Sequence, residues 1–231
     1  MIILAADTSS SYCSAAIWRD GRIISDICIN NGLVHSEMLM PVIEQALFNC
    51  SLEIGDVDVF ACCTGPGSFT GVRIAVSTIK GLAQAENKPC AAVNTLEAAA
   101  AGVYSPEAVV CSVLDARRGQ VYAAAYAEES CLLSPCALMV NELASQLDNL
   151  RAGRTIIFTG DGAQVHMEAL SQALDNIRLA PPQTVYQRAA SAAQLAFEAA
   201  RKNELISCFE LDAYYLRKPQ AEREYESRHK L

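Results

Sequence analysis

Short apolar runs alternate with polar turns along the first half of the chain. The runs at 2–6, 12–18 and 22–29 have the length and composition of β-strands, and the turn Arg19-Asp20-Gly21 between the last two is typical of a hairpin. Apolar residues recur at helical spacing over 36–48 and predict a helix there. The pattern further predicts a buried strand at 57–63, a helix ending near Ala85, a strand at 90–93 and a helix at 96–101.

The second half of the chain starts with the same pattern as the first. An apolar run at 109–114 ends in Asp115 and leads into a short turn, just as the run at 2–6 ends in Asp7 and leads into a turn. Later residues predict strands at 120–127 and 155–159 and helices at 163–173 and 189–202. A strand, an Asp and a turn found once in each half suggest two lobes of related topology.

The order of the elements predicts the fold class. Three strands in a meander, followed by alternating helices and strands, are typical of an α/β protein. Gly, Ser and Pro interrupt the helical pattern at 102–107, so the first lobe is predicted at 1–104 and the second at 105–231. An arrangement in which the C-terminal part packs back on the first lobe stays open, and the lobes would then not be contiguous in sequence.

Composition narrows the classes of function. Apolar residues make up 52% of the 231 residues and charged residues 19%, which is enough to bury a sizeable core. The net charge is −8, whereas freestanding nucleic-acid binders usually gain affinity from clustered Lys and Arg. If RNA is involved, we expect another subunit to contact it. The sequence shows neither a basic leader nor an apolar run of roughly 18 residues, so we expect a cytoplasmic protein without a membrane anchor.

The ten cysteines are scattered along the chain and form no C-x-x-C pair. Most of them fall within apolar runs, where a free thiol behaves as a small buried side chain. Disulfide frameworks and metal sites require repeated spacings. We therefore expect reduced, structural thiols of the kind found in cytosolic proteins, and no bound metal.

A glycine-rich loop at 65–71 joins a buried strand to the start of a helix, where free N–H groups favour an anion. The loop lacks the Walker motif, because Gly71 is followed by Val72 and Arg73 instead of Lys and Ser or Thr. It also lacks the dinucleotide motif, because Thr70 stands where the last glycine is needed. Two interpretations remain, an anion site and a tight turn that allows close packing, and the turn is the simpler one.

The whole string GPGSFTGVR at 65–73 is far more specific than its glycines alone. Three further segments accompany it in order: ILAADTSS at 3–10, the helix start His35-Ser36-Glu37, and YLRKPQAERE at 215–224. Together they resemble the TsaB (YeaZ) family over essentially the full chain. The resemblance implies a two-lobed actin/hexokinase/Hsp70-like (ASKHA) fold with duplicated mixed-sheet lobes, in agreement with the repeated pattern.

The resemblance also implies a function. It implies a non-catalytic scaffold subunit that binds the TsaD ATPase, has the TsaE ATPase as a further partner, and is required for threonylcarbamoyl transfer to tRNA. The modified base would be the adenosine 3′ of the anticodon in tRNAs that read codons beginning with A. It implies a homodimer when the partner is missing, indirect contact with tRNA, and no cofactor except ATP or ADP with Mg²⁺ at the interface with the partner. Two alternatives stay open: an active ATP-dependent phosphotransferase or ATPase of the same superfamily, and a general interaction domain.

Catalytic members of that superfamily hold metal and phosphates with their two strand-Asp-turn-strand elements. By resemblance, the counterparts in this chain are Asp7, Thr8, Ser9, Asp115 and Arg118, the last beside Arg117. A carboxylate near Mg²⁺ and hydroxyls near phosphate are what nucleotide chemistry requires. An Asp between a strand and a turn is equally well explained by hydrogen bonds to the backbone that follows it.

A second glycine turn, Gly160-Asp161-Gly162, also has two interpretations. Superfamily members often approach a nucleotide with such a turn. The simpler interpretation is that Asp161 caps a helix beginning near Ala163 while the glycines form the turn.

The spacing of the histidines argues against an independent enzyme. TsaD binds a metal through a His-x-x-x-His pair on a helix, whereas this chain has only His35, His166 and His229, which are far apart in sequence. His35 is expected at a surface or an interface. A serine peptidase is disfavoured, because the sequence around Ser68 does not match G-x-S-x-G.

Two helices of the first lobe are candidates for docking a partner. The second of them is apolar around much of its circumference, and such a helix is either deeply buried or covered by another chain. The resemblance favours the covered arrangement, because TsaB proteins pair through these helices with themselves or with TsaD. The candidate interface residues are His35, Leu39, Ile43, Leu47, Val72, Val76, Ile79 and Leu82. We expect a charge at Val76 or Leu82 to abolish pairing.

Overall fold

The structure is a computed structural model that describes residues 1–103, 105–128 and 130–217. The strands of the first half are β1 (Ile2–Asp7), β2 (Cys13–Arg19), β3 (Arg22–Ile29), β4 (Val59–Gly65) and β5 (Cys90–Asn94), and its helices are α1 (His35–Asn49), α2 (Phe69–Ala85) and α3 (Thr95–Ala101). The strands that follow are β6 (Ala108–Asp115), β7 (Gln120–Ala127), β8 (Ser130–Met139), β9 (Thr155–Thr159) and β10 (Ile177–Leu179), and the helices are α4 (Val140–Leu150), α5 (Asp161–Ala173) and α6 (Ala189–Arg201).

The strands form two mixed sheets with the same plan. The first has the order β3-β2-β1-β4-β5, and the second, read from its other edge, has the equivalent order β8-β7-β6-β9-β10. In each sheet the first three strands are antiparallel, and the last two run parallel to the central strand. The repeated pattern in the sequence therefore corresponds to a duplicated topology. The α/β fold class and the ASKHA-type architecture are confirmed.

Each sheet is covered by helices on both faces. Helices α1 and α2 pack on one face of the first sheet, and α6 packs on its other face, where Phe197 lies against Trp18. Helices α4 and α5 cover one face of the second sheet, and α3 covers the other through Leu96 and Leu114. Helices α3 and α6 are thus exchanged, since each packs on a sheet formed by the other half of the chain.

Most predicted elements are present within one or two residues of their predicted bounds, including β1 to β3, α1, α2, β6, β7, β9 and α6. The first sheet ends at Asn94 and the second begins at Ala108. The predicted lobe boundary lies between these residues and stays a prediction, with Tyr104 outside the described residues. The motif at 215–224 is described only as far as Arg217.

Residues 128–154 carried no sequence prediction, yet they include β8 and α4. The β8 sequence SCLLSPCALM shows no alternation of apolar and polar residues and contains Pro135, which usually argues against a strand. Its position explains the exception, because β8 is the edge strand of the second sheet and an edge tolerates proline.

All ten cysteines are free thiols, and six of them are buried. Burial raises the pKa of Cys13 and Cys90 to about 11, so these two thiols stay protonated at neutral pH. None of the helices in the described part of the chain is long and apolar enough to cross a bilayer.

Candidate functional site

The first glycine loop packs directly on the turn that follows β1. A Cβ atom added at Gly67 would lie 2.6 Å from the carbonyl oxygen of Ser9, and one at Gly71 would lie 1.9 Å from that of Thr8. Both distances are shorter than real Cβ contacts. Glycine is needed here because the start of α2 is held against the β1 turn, which supports the close-packing interpretation of the loop.

Thr8 and Ser9 use their polar groups in the same contact. The hydroxyl of Thr8 donates to the carbonyl oxygen of Gly71 at 2.7 Å, and the carbonyl oxygen of Ser9 accepts from the N–H of Ser68 at 2.8 Å. Ser68 also caps α2, since its hydroxyl accepts from the N–H of Gly71. Thr8 and Ser9 are buried; the Thr8 hydroxyl binds the chain's own loop, and the Ser9 hydroxyl accepts from the side chain of Gln187.

Asp7, the first candidate metal ligand, is 2% exposed at the end of β1. Its Oδ1 accepts from the N–H of Ser9 at 2.8 Å, whereas Oδ2 is buried without a hydrogen-bond partner among the described residues. Burial raises the pKa of this carboxyl, and the hydrogen bond from Ser9 offsets only part of that increase. Nucleotide contact by Asp7 therefore stays a prediction, and in this conformation the carboxyl is closed off from solvent.

Replacing Asp7 with asparagine should stabilise the protein at neutral pH. The folded state holds the Asp7 proton more tightly than the unfolded state, so the free energy of unfolding falls as pH rises above the carboxyl's ordinary pKa near 4. Asparagine keeps an acceptor for the Ser9 N–H and carries no charge. We expect D7N to melt at a higher temperature than the wild type at pH 7 and at nearly the same temperature at pH 3.

Thermal melts from pH 3 to 8 would measure this difference. The exposed Asp212, whose carboxyl accepts from the N–H of Ala213, provides the matched variant D212N, which should follow the wild-type curve. A D7N protein that melts below the wild type at pH 7 would show that the ionised carboxylate contributes to stability.

The equivalent turn after β6 is more open. Asp115 Oδ1 accepts from the N–H of Arg117 at 3.0 Å and lies 3.2 Å from Nε2 of His166, while Arg117 and Arg118 are exposed in left-handed conformations. Asp161 reaches across from α5, and its Oδ1 accepts from the N–H of Asp115 at 3.2 Å. Burial raises the pKa of Asp161, partly offset by that hydrogen bond. Across residues 1–103, 105–128 and 130–217, no three His, Cys, Asp or Glu side chains converge as a metal-binding group.

The predicted helix near Ala163 is present, but the prediction that Asp161 is its N-cap is wrong. Helix α5 begins at Asp161, and its N-cap is Gly160, which has a φ of 95° and no side chain to form a cap. A Cβ at Gly160 would lie 2.2 Å from the carbonyl oxygen of Val113. This glycine turn therefore packs on the end of β6 as the first loop packs on the end of β1.

Residues just before α6 close over the first turn. The side-chain amide of Gln187 donates to the hydroxyl of Ser9 at 3.3 Å, and the rings of Tyr12 and Tyr186 lie 4.3 Å apart. The Tyr186 hydroxyl also donates to Gln164 on α5, so the segment links both sheets. Sequence reasoning missed Tyr12, Gln187 and the partnership of His166 with Asp115, and none of these residues carries a local motif.

Most of the predicted interface residues lie in this chain's own core. Leu39, Ile43, Leu47, Val72, Val76 and Ile79 are between 0% and 7% exposed. They pack between α1, α2 and the first sheet, so a partner cannot reach them without opening the core. Leu82 is partly buried against the same cluster, and Nε2 of the half-buried His35 lies 2.8 Å from the carbonyl oxygen of Ser10. A docking surface on these helices must use their other faces.

Those outer faces form a shallow groove. Its volume is about 450 Å³, and it is lined by Ser36, Phe69, Thr70, Arg73, Ile74, Ser77 and Thr78. The C-terminal segment borders the same face, because Arg73 Nε donates to the Tyr215 hydroxyl at 2.8 Å while its guanidinium lies 3.8 Å from the centre of the Phe69 ring. Large apolar side chains are also exposed nearby in sequence, among them Leu33, Val34, Met40 and Phe48.

Comparison with known proteins gives consistent results. A family model described as TsaD, tRNA N6-adenosine threonylcarbamoyltransferase, matches residues 32–225. The chain is 33% identical to the tRNA threonylcarbamoyladenosine biosynthesis protein TsaB of Bacillus subtilis, over 75% of this chain and 77% of that protein. It is 28% identical to the TsaB of Haemophilus influenzae over 94% of each. The solved structure of YeaZ from Pseudomonas aeruginosa superposes with a TM-score of 0.80 at 27% identity, covering 93% of this chain and 99% of that one.

Proposed function

Because the chain belongs to the TsaB (YeaZ) family of tRNA threonylcarbamoyladenosine biosynthesis proteins, we propose that it serves that pathway as a non-catalytic scaffold for a TsaD-type enzyme. Involvement in the biosynthesis of threonylcarbamoyladenosine follows from membership of the family. The scaffold role and the identity of the partners are our proposal.

The observation that carries the proposal is the internal use of Asp7, Thr8 and Ser9, the residues predicted to contact a nucleotide in the first lobe. Thr8 donates to the glycine loop, Ser9 accepts from it and from Gln187, and Asp7 is buried. A kinase or ATPase of this architecture needs such groups free to meet metal and phosphate. Their internal use supports a subunit that acts by binding another protein.

The docking surface we propose is the groove on the outer faces of α1 and α2. The small side chains of Ser77 and Thr78 let another helix approach closely, and Ile74 adds apolar surface. Phe69 and Arg73 belong to residue types enriched at interfaces. We propose that TsaD occupies this face, that a second copy of the chain occupies it when TsaD is missing, and that TsaE joins the same assembly.

Two further features of the assembly are part of the proposal. ATP or ADP with Mg²⁺ would bind at the interface with the partner, because the groups of this chain's own first lobe are engaged. The net charge of −8 favours tRNA contact through the partner, in a cytoplasmic complex.

Reconstitution with unmodified tRNA tests the scaffold role. We would assay threonylcarbamoyladenosine formation and ATP hydrolysis with this chain alone, with the TsaD-type partner alone, and with both together with TsaE. The proposal predicts modification only when both proteins are present. ATP turnover or tRNA modification by this chain alone would instead support the ATPase alternative.

Changing Ser77 to glutamate should prevent docking while leaving the fold intact. Ser77 is exposed and lines the groove, so a large charged side chain there would be desolvated by any partner helix. We expect affinity for the TsaD-type partner, measured by isothermal titration calorimetry, to fall about thirtyfold or more, as for a central interface position.

The matched control is a serine-to-glutamate substitution on α4, a helix that packs on the second sheet. Ser145 is exposed on α4, and the S145E variant should bind the partner as the wild type does. If S77E binds with wild-type affinity, the docking surface lies elsewhere on the molecule.

A further inference from the structure

A cavity of about 200 Å³ lies where α3 and α6 meet strands β6 and β7. We propose that it binds a small organic cation, an ammonium group attached to a compact hydrocarbon body. The inference is independent of the docking role proposed above, since the cavity shares no lining residue with the groove on α1 and α2.

The walls of the cavity are apolar. Ala100 on α3 and Val110 on β6 are buried, and the partly buried Leu195 on α6 completes the wall. Alanine at position 100 leaves open the space that a larger side chain would fill. The volume is below the roughly 300–1,000 Å³ of sites for drug-sized molecules, so the ligand should be smaller than those.

The rim of the cavity is acidic. Glu97 on α3 and Glu128 after β7 both line the cavity, and so does Tyr126 on β7. Burial against the wall raises the pKa of Glu97, and the attraction of Lys202 is opposed by the repulsion of Glu204. The pKa of Tyr126 is raised by burial and then by the charge of Glu97. Burial is the main cause of both shifts, so a cation beside Glu97 would offset part of the cost of burying its carboxylate.

The combination of walls and rim selects the class of ligand. A hydrated metal ion needs several oxygen ligands and gains nothing from an apolar wall. A neutral hydrocarbon would contact the apolar wall but gain nothing from the two carboxylates. An alkylammonium ion satisfies both, since its body removes apolar surface from water and its head lies between Glu97 and Glu128.

The location gives such a ligand a structural effect. Glu97 and Ala100 belong to α3, which the first half of the chain supplies, whereas Val110 and Tyr126 belong to the second sheet. Leu195 belongs to α6, which packs on the first sheet. A molecule in the cavity would contact both halves at once and would resist their relative motion.

Ligand-observed NMR with cyclohexylammonium as the probe tests the proposal, with cyclohexanol and cyclohexanecarboxylate as neutral and anionic probes of similar size. We expect millimolar binding of the ammonium, weaker binding of the alcohol and none of the carboxylate. Removing one rim charge in E97Q should weaken ammonium binding about three- to fivefold, typical of a solvent-screened ion pair, and leave the alcohol unchanged. Higher ionic strength should weaken ammonium binding as well.

Two further variants locate the site. A100L fills the cavity and should abolish binding of both the ammonium and the alcohol, whereas E168Q, at an exposed position on α5, should bind like the wild type. E97Q lies at the rim and keeps the test decisive if A100L fails to fold. Absence of ammonium binding at about 10 mM probe, well above the millimolar dissociation constant expected, would overturn the proposal. Equal affinity for the alcohol, or equal loss in E168Q and E97Q, would overturn it as well.

Discussion

Replacing Gly71 with alanine should destabilise the protein by about 3 to 5 kcal/mol, enough to lower the melting temperature by on the order of 10 °C. The new Cβ would lie 1.9 Å from the carbonyl oxygen of Thr8 and 3.1 Å from its carbonyl carbon, and these are backbone atoms that cannot rotate away. Relief requires α2 to move off the β1 turn, which also breaks the hydrogen bond from Thr8 to Gly71. Chemical denaturation followed by circular dichroism would measure the loss.

Gly81 provides the matched control on the same helix. It is exposed, and a Cβ added there meets nothing within 4 Å. Alanine should therefore stabilise G81A by about 0.5 to 1 kcal/mol through its higher helix propensity. The glycine-to-alanine substitution should therefore lower the free energy of unfolding at position 71 and raise it at position 81. If G71A matched the wild type, the close approach of α2 to Thr8 would not exist in solution.

Replacing Val76 with glutamate should unfold the protein or cost about 4 kcal/mol or more. Val76 is 6% exposed and lies in the cluster between α1, α2 and the first sheet, so the new carboxylate would be buried without a partner. The expectation drawn from sequence was that a charge at Val76 abolishes pairing, and the buried position of Val76 adds loss of the fold. The measurement is the midpoint of urea unfolding.

A variant at the neighbouring Ser77 distinguishes loss of the fold from loss of docking. Ser77 is exposed, and S77E should change stability by no more than about 0.5 kcal/mol. We expect loss of fold at residue 76 and loss of docking at residue 77. A soluble V76E protein with a wild-type unfolding midpoint would show that Val76 faces solvent or a partner.

The sequence predicted the fold well where hydrophobic pattern and turn chemistry agree. Strands β1 and β6 are apolar runs that end in Asp7 and Asp115, and the duplicated topology follows from recognising that pattern twice. Strand β8 was missed because an edge strand with Pro135 and no alternation gives no signal of period two. An alternation of apolar and polar residues reveals a strand only when one face of that strand is buried and the other is exposed.

The site was less predictable, because its contacts join distant parts of the chain. The apolar stripe on α2 was visible, but the stripe does not say whether the first sheet or another protein covers it. The sheet does, and this places Val72, Val76 and Ile79 in the core. The hydrogen bond between Gln187 and Ser9 joins residues 178 positions apart, and no local spacing could have indicated it.

The exchange of α3 and α6 between the two sheets has a consequence for biosynthesis. The face of the first sheet that carries Trp18 is complete in sequence at Asn94, but α6, which covers it, begins at Ala189. At roughly 5 to 20 residues per second, a ribosome needs about 5 to 20 s to make the intervening chain. Throughout that interval the nascent first half holds an apolar sheet face without its native cover. The apolar face of the first sheet is therefore exposed to other molecules until α6 has emerged.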